Sequence, residues 1–467
     1  MKGYGGRILF IDVTRGSSRV EALGEETARA LLGGNGLAPR LLLDHVPVGT
    51  DPYDAANAVV FAVGPVTDTT VPGNSRACVA SKSPLTGLFF DSTFGGRWPA
   101  TMKRTGFDAI VITGKAGAPV YLKVGEAGVE VKPAAGLWGQ TTRDTVHAIQ
   151  AVEGADTDVM AIGPAGERLV RFACLATYWK NREGVAGRGG IGAYNLRQET
   201  FADAQAISGE EMHARYHDRD TTCLKCPVAC GKQYEIRDGE LGGLKAKMPE
   251  YEAIFAFGSM LGNAHAGSLA KANDLCDLLG MDTLTMGVTL SFVAEALERG
   301  WLAPDEIGVL FGWGDWRGML RLIEMTAARE GSGDRLAEGG WRLAESVHPE
   351  ATKTVYAVKR LELPAHSARA LKGMSIGYAT ATRGGSHHDT RPTPQYAQGY
   401  DRRSTDGKPE FAIRNQHFTA VDDSLVLCRF TSERGFGLFV EEPYARMVRT
   451  VTGWEMSVEK LGAWASA

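Results

Sequence analysis

The chain has 467 residues, of which 44% are hydrophobic and 23% are charged, so it can bury a large core and is expected to divide into two to four domains. Its formal net charge is −4, and lysine and arginine are spread along the chain rather than clustered. This charge balance excludes nucleic acid and an anionic membrane surface as expected partners.

The N-terminal segment MKGYGGRILFIDV reaches an acidic residue after a very short apolar run, and so lacks the apolar core of a secretory signal. No apolar run is long enough to cross a bilayer. The seven cysteines are an odd number with one tight cluster, which suits metal ligands better than disulfides. We therefore expect a cytoplasmic protein.

The first part of the chain alternates short β-type runs with glycine and proline turns, as in RILFIDV, AVVFAVG, DAIVITG and PVYLKVG. This pattern predicts a β-rich domain over residues 1–205. Beyond it, apolar residues recur at helical spacing, as in EYEAIFAFGSMLG and TLTMGVTLSFVAEALERG. The spacing predicts two mostly helical domains, 206–350 and 351–467, and hence an α+β fold.

One helix-turn-helix junction can be located in detail. Gly280 and Gly300 each follow a periodic apolar segment, where a left-handed residue commonly ends a helix. Asp282 or Thr283 can then cap the N-terminus of the next helix. Residues 277–282 are therefore predicted to join two helices.

The cysteine cluster has the spacing C-x2-C-x3-C, formed by Cys223, Cys226 and Cys230 with Pro227 inside the loop. Three thiolates at this spacing can converge on one iron–sulfur cluster. Cys428 is the best fourth ligand, because the remaining cysteines lie in strand-like or helical core segments. Structural zinc is the alternative, but it usually takes a second cysteine pair or histidines.

Two acidic motifs share the pattern D-x-L-x-(M/L)-(D/C): residues 277–282 and residues 423–428. Two copies suggest two similar ligands. With these motifs the chain resembles the aldehyde ferredoxin oxidoreductase family, in which comparable motifs hold two pyranopterins. The resemblance extends through the segments GRILFIDVTRG, GPVTDTTVPGNSR, SKSPLTG, FDAIVITGKA, GPAGE, AGRGGIGA, PEYEAIFAFGSMLG, RLAEG, LELPA and GYATATRGGSH.

The resemblance implies a buried tungsten or molybdenum bis-pyranopterin beside a [4Fe–4S] cluster, with Mg²⁺ as a further candidate that would bridge the pterin phosphates. It implies that the cluster is bound by Cys223, Cys226, Cys230 and Cys428. Arg76 would bridge cluster and pterin. The other implied cofactor-binding residues are Thr93, Gly95, Ala186, Gly187, Arg188, Gly189, Asp277, Gly280, Asp282, Thr283 and Asp423.

The implied activity is the interconversion of an aldehyde and a carboxylic acid, with Glu252 and His387 as the acid–base pair. Electrons would pass through the cluster to ferredoxin or a small iron–sulfur subunit, and a homodimer is expected. One alternative is a different substrate, as in a ring reductase or a dedicated biosynthetic oxidoreductase. Another is a non-catalytic relay or scaffold subunit, which the retained Glu252, His387 and acidic motifs argue against.

Several positions depart from the family pattern, which usually has Asn at Thr93, Gly at Val426 and Lys at Asp389. The segment before Cys223 is shorter than usual, and the C-terminal part ends earlier, so we expect a reshaped substrate channel. His387, His388, Arg383 and Arg391 suggest a basic patch that could receive an anionic substrate. The G-x-G-x-x-G match at residues 187–192 lacks the flanking strand and helix of a dinucleotide site and is interpreted as a cofactor-approach loop.

Overall fold

The computed structural model describes residues 1–177, 192–198, 200–396, 399–437 and 439–466. The loop residues Ala186, Gly187, Arg188 and Gly189, which the sequence predicts to contact a cofactor, lie outside these ranges. The chain forms the predicted α+β fold, in which a sheet near the N-terminus is followed by a mostly helical region.

The N-terminal region is built on a six-stranded sheet. Its strands are β1 (Arg7–Asp12), β2 (Ser17–Ala22), β3 (Ala58–Ala62), β4 (Arg76–Lys82), β5 (Phe89–Gly95) and β6 (Ala109–Thr113). Their order is β2-β1-β6-β3-β4-β5, with β1 and β6 parallel and the other neighbours antiparallel. Arg76 pairs with Gly95, so two residues predicted to bind cofactor lie side by side at one end of the sheet.

Three helices accompany these strands: α1 (Glu25–Leu31), α2 (Gly34–His45) and α3 (Trp98–Arg104). Successive strand residues face opposite sides of the sheet, so Leu9 and Ile11 enter one core and Ile8 and Phe10 enter another. The second core also contains α2 and residues 418–461. The C-terminal end of the chain therefore packs against the N-terminal sheet.

Smaller elements complete the first part of the chain. They are β7 (Val120–Gly125), β8 (Gly128–Pro133), α4 (Thr142–Glu153), β9 (Met160–Ala161), α5 (Pro164–Glu167) and β10 (Ala176–Thr177). The strands β7 and β8 form an antiparallel hairpin, as do the short β9 and β10.

The middle of the chain contains a small antiparallel sheet that the sequence did not predict. Its strands are β11 (His217–Thr221), β12 (Gly231–Glu235) and β13 (Lys245–Lys247). The helices are α6 (Gly209–Tyr216), α7 (Tyr251–Phe257), α8 (Ala266–Leu279), α9 (Thr283–Glu298), α10 (Pro304–Ile307), α11 (Trp316–Ala328), α12 (Gly333–Leu336) and α13 (Gly340–Val347). Most of α8 and α9 is buried, so these two helices form the centre of this core.

The last part begins with the short strands β14 (Ala357–Val358) and β15 (Leu361–Glu362). Helices follow: α14 (Lys372–Thr380), α15 (Lys408–Ser424), α16 (Arg429–Gly435), α17 (Glu442–Thr452) and α18 (Val458–Ser466). Across the described ranges, none of the helices combines the length and the apolar character that a membrane span requires. The division into domains 1–205, 206–350 and 351–467 stays a prediction.

Candidate active site

The cysteine triplet lies in the loop between β11 and β12. The Cys226 backbone N–H donates to the Cys223 carbonyl oxygen at 3.0 Å, which closes a tight turn. Lys225 has a φ of 56°, and its ammonium reaches Asp68 Oδ1 at 2.8 Å. This ion pair attaches the cysteine loop to the N-terminal region.

Cys428 comes from the opposite end of the chain. It caps the N-terminus of α16, and its backbone N–H donates to the Gly73 carbonyl at 3.0 Å. Arg76 Nη1 lies 3.9 Å from Cys428 Sγ, while Nη2 of the same guanidinium donates to Thr93 Oγ1 at 2.8 Å. The structure therefore brings the predicted bridging arginine to the predicted fourth ligand.

Gly95 lies next to both Cys223 and Arg76. A Cβ atom at this position would lie 3.4 Å from Cys223 Sγ and 3.7 Å from Arg76 Nη1. Cys223, Arg76 and Cys428 thus converge at the end of β5, although Cys223 and Cys428 are far apart in sequence.

The spacing of the sulfurs distinguishes the two metal readings. Four thiolates around one zinc ion lie about 3.8 Å apart, since each Zn–S bond is about 2.3 Å. Within the described part of the chain, one group of His, Cys, Asp or Glu has its ligand atoms within 4.8 Å of one another, and it contains no cysteine. The cysteines are therefore spread more widely than a single zinc ion requires, which suits a larger cluster.

The first acidic motif forms the predicted junction between α8 and α9. Gly280 ends α8 with a φ of 74°, and a Cβ there would lie 2.7 Å from the Gly163 backbone nitrogen. Only glycine fits both the backbone conformation and the close approach. Of the two predicted N-caps the structure uses Asp282, whose Oδ2 accepts the Thr285 N–H at 2.7 Å. Thr283 is the first residue of α9.

The two aspartate residues of this motif, Asp277 and Asp282, are partly buried. Burial raises the pKa of both Asp277 and Asp282 above the usual range of an aspartate. Both residues nevertheless retain part of their accessible surface. Such carboxyl groups can accept hydrogen bonds from the amino and ring N–H groups of a heterocycle.

The second acidic motif ends α15 and leads into α16. Asp423 Oδ2 and Asp422 Oδ2 each lie 3.1 Å from the guanidinium of Arg429, and all three side chains are buried. Among the described residues, Arg429 Nη1 and Arg76 Nε are buried donors without a hydrogen-bond partner. Donors of this kind fit an acceptor-rich group such as a pterin or a cluster, so the residues present are compatible with both cofactors.

The candidate acid–base group lies on α7 and on two later segments. Glu252 is in the first turn of α7, and its Oε2 accepts the Ala365 N–H at 2.7 Å. Glu252 Oε1 lies 3.5 Å from His366 Nε2, and the His366 and His387 rings are 5.4 Å apart. One ligand atom from each of the three side chains lies within 4.8 Å of the others, a spacing that could also hold a divalent metal ion.

Burial determines the protonation states of Glu252, His366 and His387 near neutral pH. Burial raises the pKa of Glu252 from 4.5 to about 7. Burial lowers the pKa of His366 to about 3 and that of His387 well below its usual value. Glu252 can therefore exchange a proton at neutral pH, whereas both imidazoles remain neutral.

His366 was not predicted from the sequence, although it directly follows the LELPA segment that carries part of the family resemblance. The signal was a titratable residue directly after that motif, but 114 positions separate it from Glu252 (366 minus 252). The sequence alone offered no reason to bring the two together.

The predicted basic patch is wrong. Arg383 is buried and pairs with Asp91 Oδ2 at 3.0 Å and with Asp389 Oδ1 at 2.6 Å. Arg391 is buried and pairs with Glu433 Oε1 at 3.2 Å. Because both guanidinium groups are neutralised by carboxylates, this turn does not offer free positive charge to an anionic substrate.

The structure combines cysteines that converge near Arg76, two acidic motifs at helix ends and a candidate acid–base group, a combination expected of a redox enzyme. The chain belongs to the aldehyde ferredoxin oxidoreductase family and is an oxidoreductase of that type. Residues 8–197 match the N-terminal domain of the family, and residues 180–466 match its domains 2 and 3.

Relatives and a solved structure support this membership. The chain is 33% identical to the tungsten-containing aldehyde ferredoxin oxidoreductase of Pyrococcus furiosus, over 98% of this chain and 86% of that protein. It is 26% identical to an aliphatic sulfonate oxidoreductase, WOR-like subunit, of the same organism, over 94% and 81%. The active-site complex BamBC of benzoyl coenzyme A reductase shares the fold, with a TM-score of 0.83 at 19% identity, over 99% of this chain and 87% of that one.

Proposed function

We propose that this protein interconverts an aldehyde and its carboxylic acid at a tungsten or molybdenum bis-pyranopterin centre. The oxidation is RCHO + H₂O → RCOOH + 2H⁺ + 2e⁻. The observation that carries the proposal is the position of Glu252, with a pKa of about 7, beside two neutral histidines in a family of redox enzymes. A subunit that only relayed electrons would not need this group.

The proposed cofactor residues come from three parts of the chain. Asp277, Gly280, Asp282 and Thr283 would contact one pterin, and Asp423 with its Arg429 partner would contact the other. Cys223, Cys226, Cys230 and Cys428 would bind a [4Fe–4S] cluster, with Arg76, Thr93 and Gly95 between cluster and pterin. Mg²⁺ at the pterin phosphates and the loop at residues 186–189 remain predicted contacts.

When bound, the metal–dithiolene centre supplies two-electron redox chemistry. The side chains handle protons and orientation. A neutral His387 can donate its N–H to the carbonyl oxygen of the aldehyde, which makes the carbonyl carbon more electrophilic. Glu252, held by the Ala365 N–H, accepts a proton from the attacking water or from the hydrated aldehyde.

The electrons would leave singly through the cluster to ferredoxin or a small iron–sulfur subunit. Lys225, inside the cysteine loop, is 42% exposed, so this loop lies close enough to the surface for a partner to approach. A cytoplasmic location and a homodimer belong to the same proposal.

A different substrate within the family is the second candidate. Relatives of comparable coverage act on different substrates by name, and BamBC of benzoyl coenzyme A reductase shares the fold. The ion pairs of Arg383 and Arg391 remove the free charge that would favour an anionic substrate at that turn, so an uncharged aldehyde suits it better. A panel of aldehydes, sulfonates and aromatic thioesters, assayed with a viologen dye, separates these candidates.

Elemental analysis of anaerobically purified protein tests the cofactor assignment. We expect about one tungsten or molybdenum and about four irons per chain. Cys226→Ser should lose iron, whereas Cys276→Ala, in the buried part of α8, should retain it. Iron without tungsten or molybdenum, from a host that makes the cofactor, would instead favour the relay or scaffold subunit.

A further inference from the structure

Oxidation of an aldehyde releases two protons, and the candidate acid–base group from which they must leave is only partly exposed, with 22% of the Glu252 side chain accessible. Two branches of polar side chains extend from this group. One runs through His387 to His388, and the other runs through His366 to Tyr396. Their far ends differ, and this difference decides which branch can carry protons.

The His388 branch ends inside the protein. His388 Nδ1 lies 3.5 Å from Arg391 Nη1, and Arg391 is buried in its ion pair with Glu433. A guanidinium remains protonated in proteins and has no acceptor, so it cannot pass a proton onward. This branch therefore ends at the Arg391–Glu433 ion pair.

The His366 branch ends at the surface. His366 Nε2 lies 3.5 Å from Glu252 Oε1, and His366 Nδ1 lies 3.3 Å from the Tyr396 phenol oxygen. The His366 side chain is 13% exposed, whereas Tyr396 is 41% exposed and lines an open cleft of about 360 Å³. The two ring nitrogens of one imidazole thus face the Glu252 carboxyl on one side and the phenol of the exposed Tyr396 on the other.

We propose that His366 and Tyr396 form a proton-exit path from Glu252 to this surface cleft. The path rests on the proposed function, in which Glu252 is the base. The Ala365 N–H holds Glu252 Oε2, which leaves Oε1 for His366. The Tyr378 hydroxyl donates to the His366 carbonyl oxygen at 2.9 Å and so fixes the backbone that carries the imidazole.

Each passage moves one proton from Glu252, which becomes a carboxylate, and leaves the charges of His366 and Tyr396 unchanged. The Glu252 carboxyl gives its proton to His366 Nε2 while His366 Nδ1–H donates its proton to the Tyr396 oxygen. The Tyr396 hydroxyl releases its own proton to water in the cleft. A half-turn of the imidazole and a rotation of the phenol hydroxyl restore the starting arrangement, and a second passage removes the second proton of the reaction.

The neutral state of both relay groups supports this route. Burial lowers the pKa of His366 to about 3 and raises the pKa of Tyr396 above its usual value. Neither group therefore holds a charge that would trap the proton, and each has one donor and one acceptor available.

The first test compares Tyr396→Phe and His366→Ala with wild type in aldehyde oxidation. We expect kcat to fall about tenfold with KM within about twofold, and the solvent deuterium isotope effect on kcat to rise. Added imidazole should restore part of the rate of His366→Ala.

Tyr400→Phe is the matched control, because Tyr400 lines the same cleft and its phenol has no hydrogen-bond partner among the described residues. Values of kcat and isotope effect equal to wild type in Tyr396→Phe would overturn the path.

The second test does not depend on turnover. Time-resolved infrared spectroscopy after a light-triggered pH jump follows the carboxyl band of Glu252, identified by its loss in Glu252→Gln. Protonation should be slower in His366→Ala and Tyr396→Phe than in wild type and Tyr400→Phe; equal rates would overturn the path. If wild type oxidises no aldehyde, the proposed function fails and this comparison still decides the path.

Discussion

Val426 repeats the backbone conformation of Gly280. Each residue stands three positions after the aspartate that opens its acidic motif, and their φ angles are 51° and 74°. The left-handed region suits glycine and strains a β-branched residue by about 1–2 kcal/mol. The two motifs therefore share one local geometry, although only the first has the residue that this geometry favours.

Replacing Val426 by glycine should nevertheless destabilise the protein. The side chain is fully buried and fits against Gly34 and Gly64, where an added Cβ would approach its methyl carbons to 2.5 and 2.7 Å. Burial of a valine contributes about 1.5–3 kcal/mol and glycine adds a backbone-entropy cost of about 0.5–1 kcal/mol, which together outweigh the strain of about 1–2 kcal/mol that glycine would relieve. The melting temperature of Val426→Gly should be lower than that of wild type.

Val426→Ala is the control for this balance. Alanine loses most of the packing and keeps the left-handed strain, so Val426→Ala should be no more stable than Val426→Gly. At an ordinary buried position glycine would be the worse of the two by about 0.5–1 kcal/mol. A Val426→Gly protein that melts above wild type would show that strain outweighs packing.

Arg76 should affect the reduction potential of the cluster and not its iron content. Its guanidinium lies 3.9 Å from Cys428 Sγ, and positive charge at that distance favours the reduced, more negative cluster. Arg76→Gln should therefore lower the reduction potential by roughly tens of millivolts while iron content stays unchanged. Redox titration followed by electron paramagnetic resonance measures this shift.

Thr93→Val separates charge from hydrogen bonding in this prediction. The variant removes the hydroxyl that accepts from Arg76 Nη2 and leaves the guanidinium in place. Its potential should remain closer to wild type than that of Arg76→Gln. Equal potentials in all three proteins would contradict an electrostatic role for Arg76.

Local patterns predicted much of the site. The capping pattern around Gly280 and Asp282 predicted the α8–α9 junction, because the end of a helix depends on residues within one or two turns. The strands β11 to β13 were not predicted, because HDRDT in β11 is mostly polar and exposed and lacks the alternation of a half-buried strand. Roles beyond local structure depended on the family resemblance.

Pairings between distant segments could not be predicted from pattern. Arg383 contacts the backbone of Asp91 across 292 positions, and Glu252 accepts from Ala365 across 113. The first contact joins the last part of the chain to the N-terminal sheet, and the second joins the segment after β15 to α7. A charged residue looks the same in sequence whether it is solvated or paired, which is why pattern alone predicts a basic patch at Arg383 and Arg391.

The pKa of Glu252 predicts a pH dependence of turnover. The base form of Glu252 must be present to accept a proton, and its pKa is about 7. The rate of aldehyde oxidation should therefore rise with pH through about 7, and Glu252→Gln should lose turnover while keeping iron and pterin. A variant that oxidises aldehydes at the wild-type rate would remove Glu252 from the proposed mechanism.

The same group predicts how stability changes with pH. Because burial raises its pKa from 4.5 to about 7, the folded state binds more protons than the unfolded state between these values. The contribution of protonated Glu252 is fully present below about 4.5 and is lost as the pH rises through about 7. Between about pH 5 and about pH 8, the melting temperature of Glu252→Gln should therefore rise relative to wild type.

Asp389 should stabilise the protein through its ion pair with the buried Arg383. Asp389 and Asp91 together surround the buried Arg383. Asp389→Lys would put a second positive charge beside the guanidinium, at a cost of about 3–5 kcal/mol, and Asp389→Asn should cost less because Asp91 remains. In the double variant Arg383→Met, Asp389→Lys, the new lysine can pair with Asp91, so stability should recover in part. Thermal unfolding of the two single variants and the double variant gives the coupling energy, and additive effects would show that the charges of Arg383 and Asp389 do not interact.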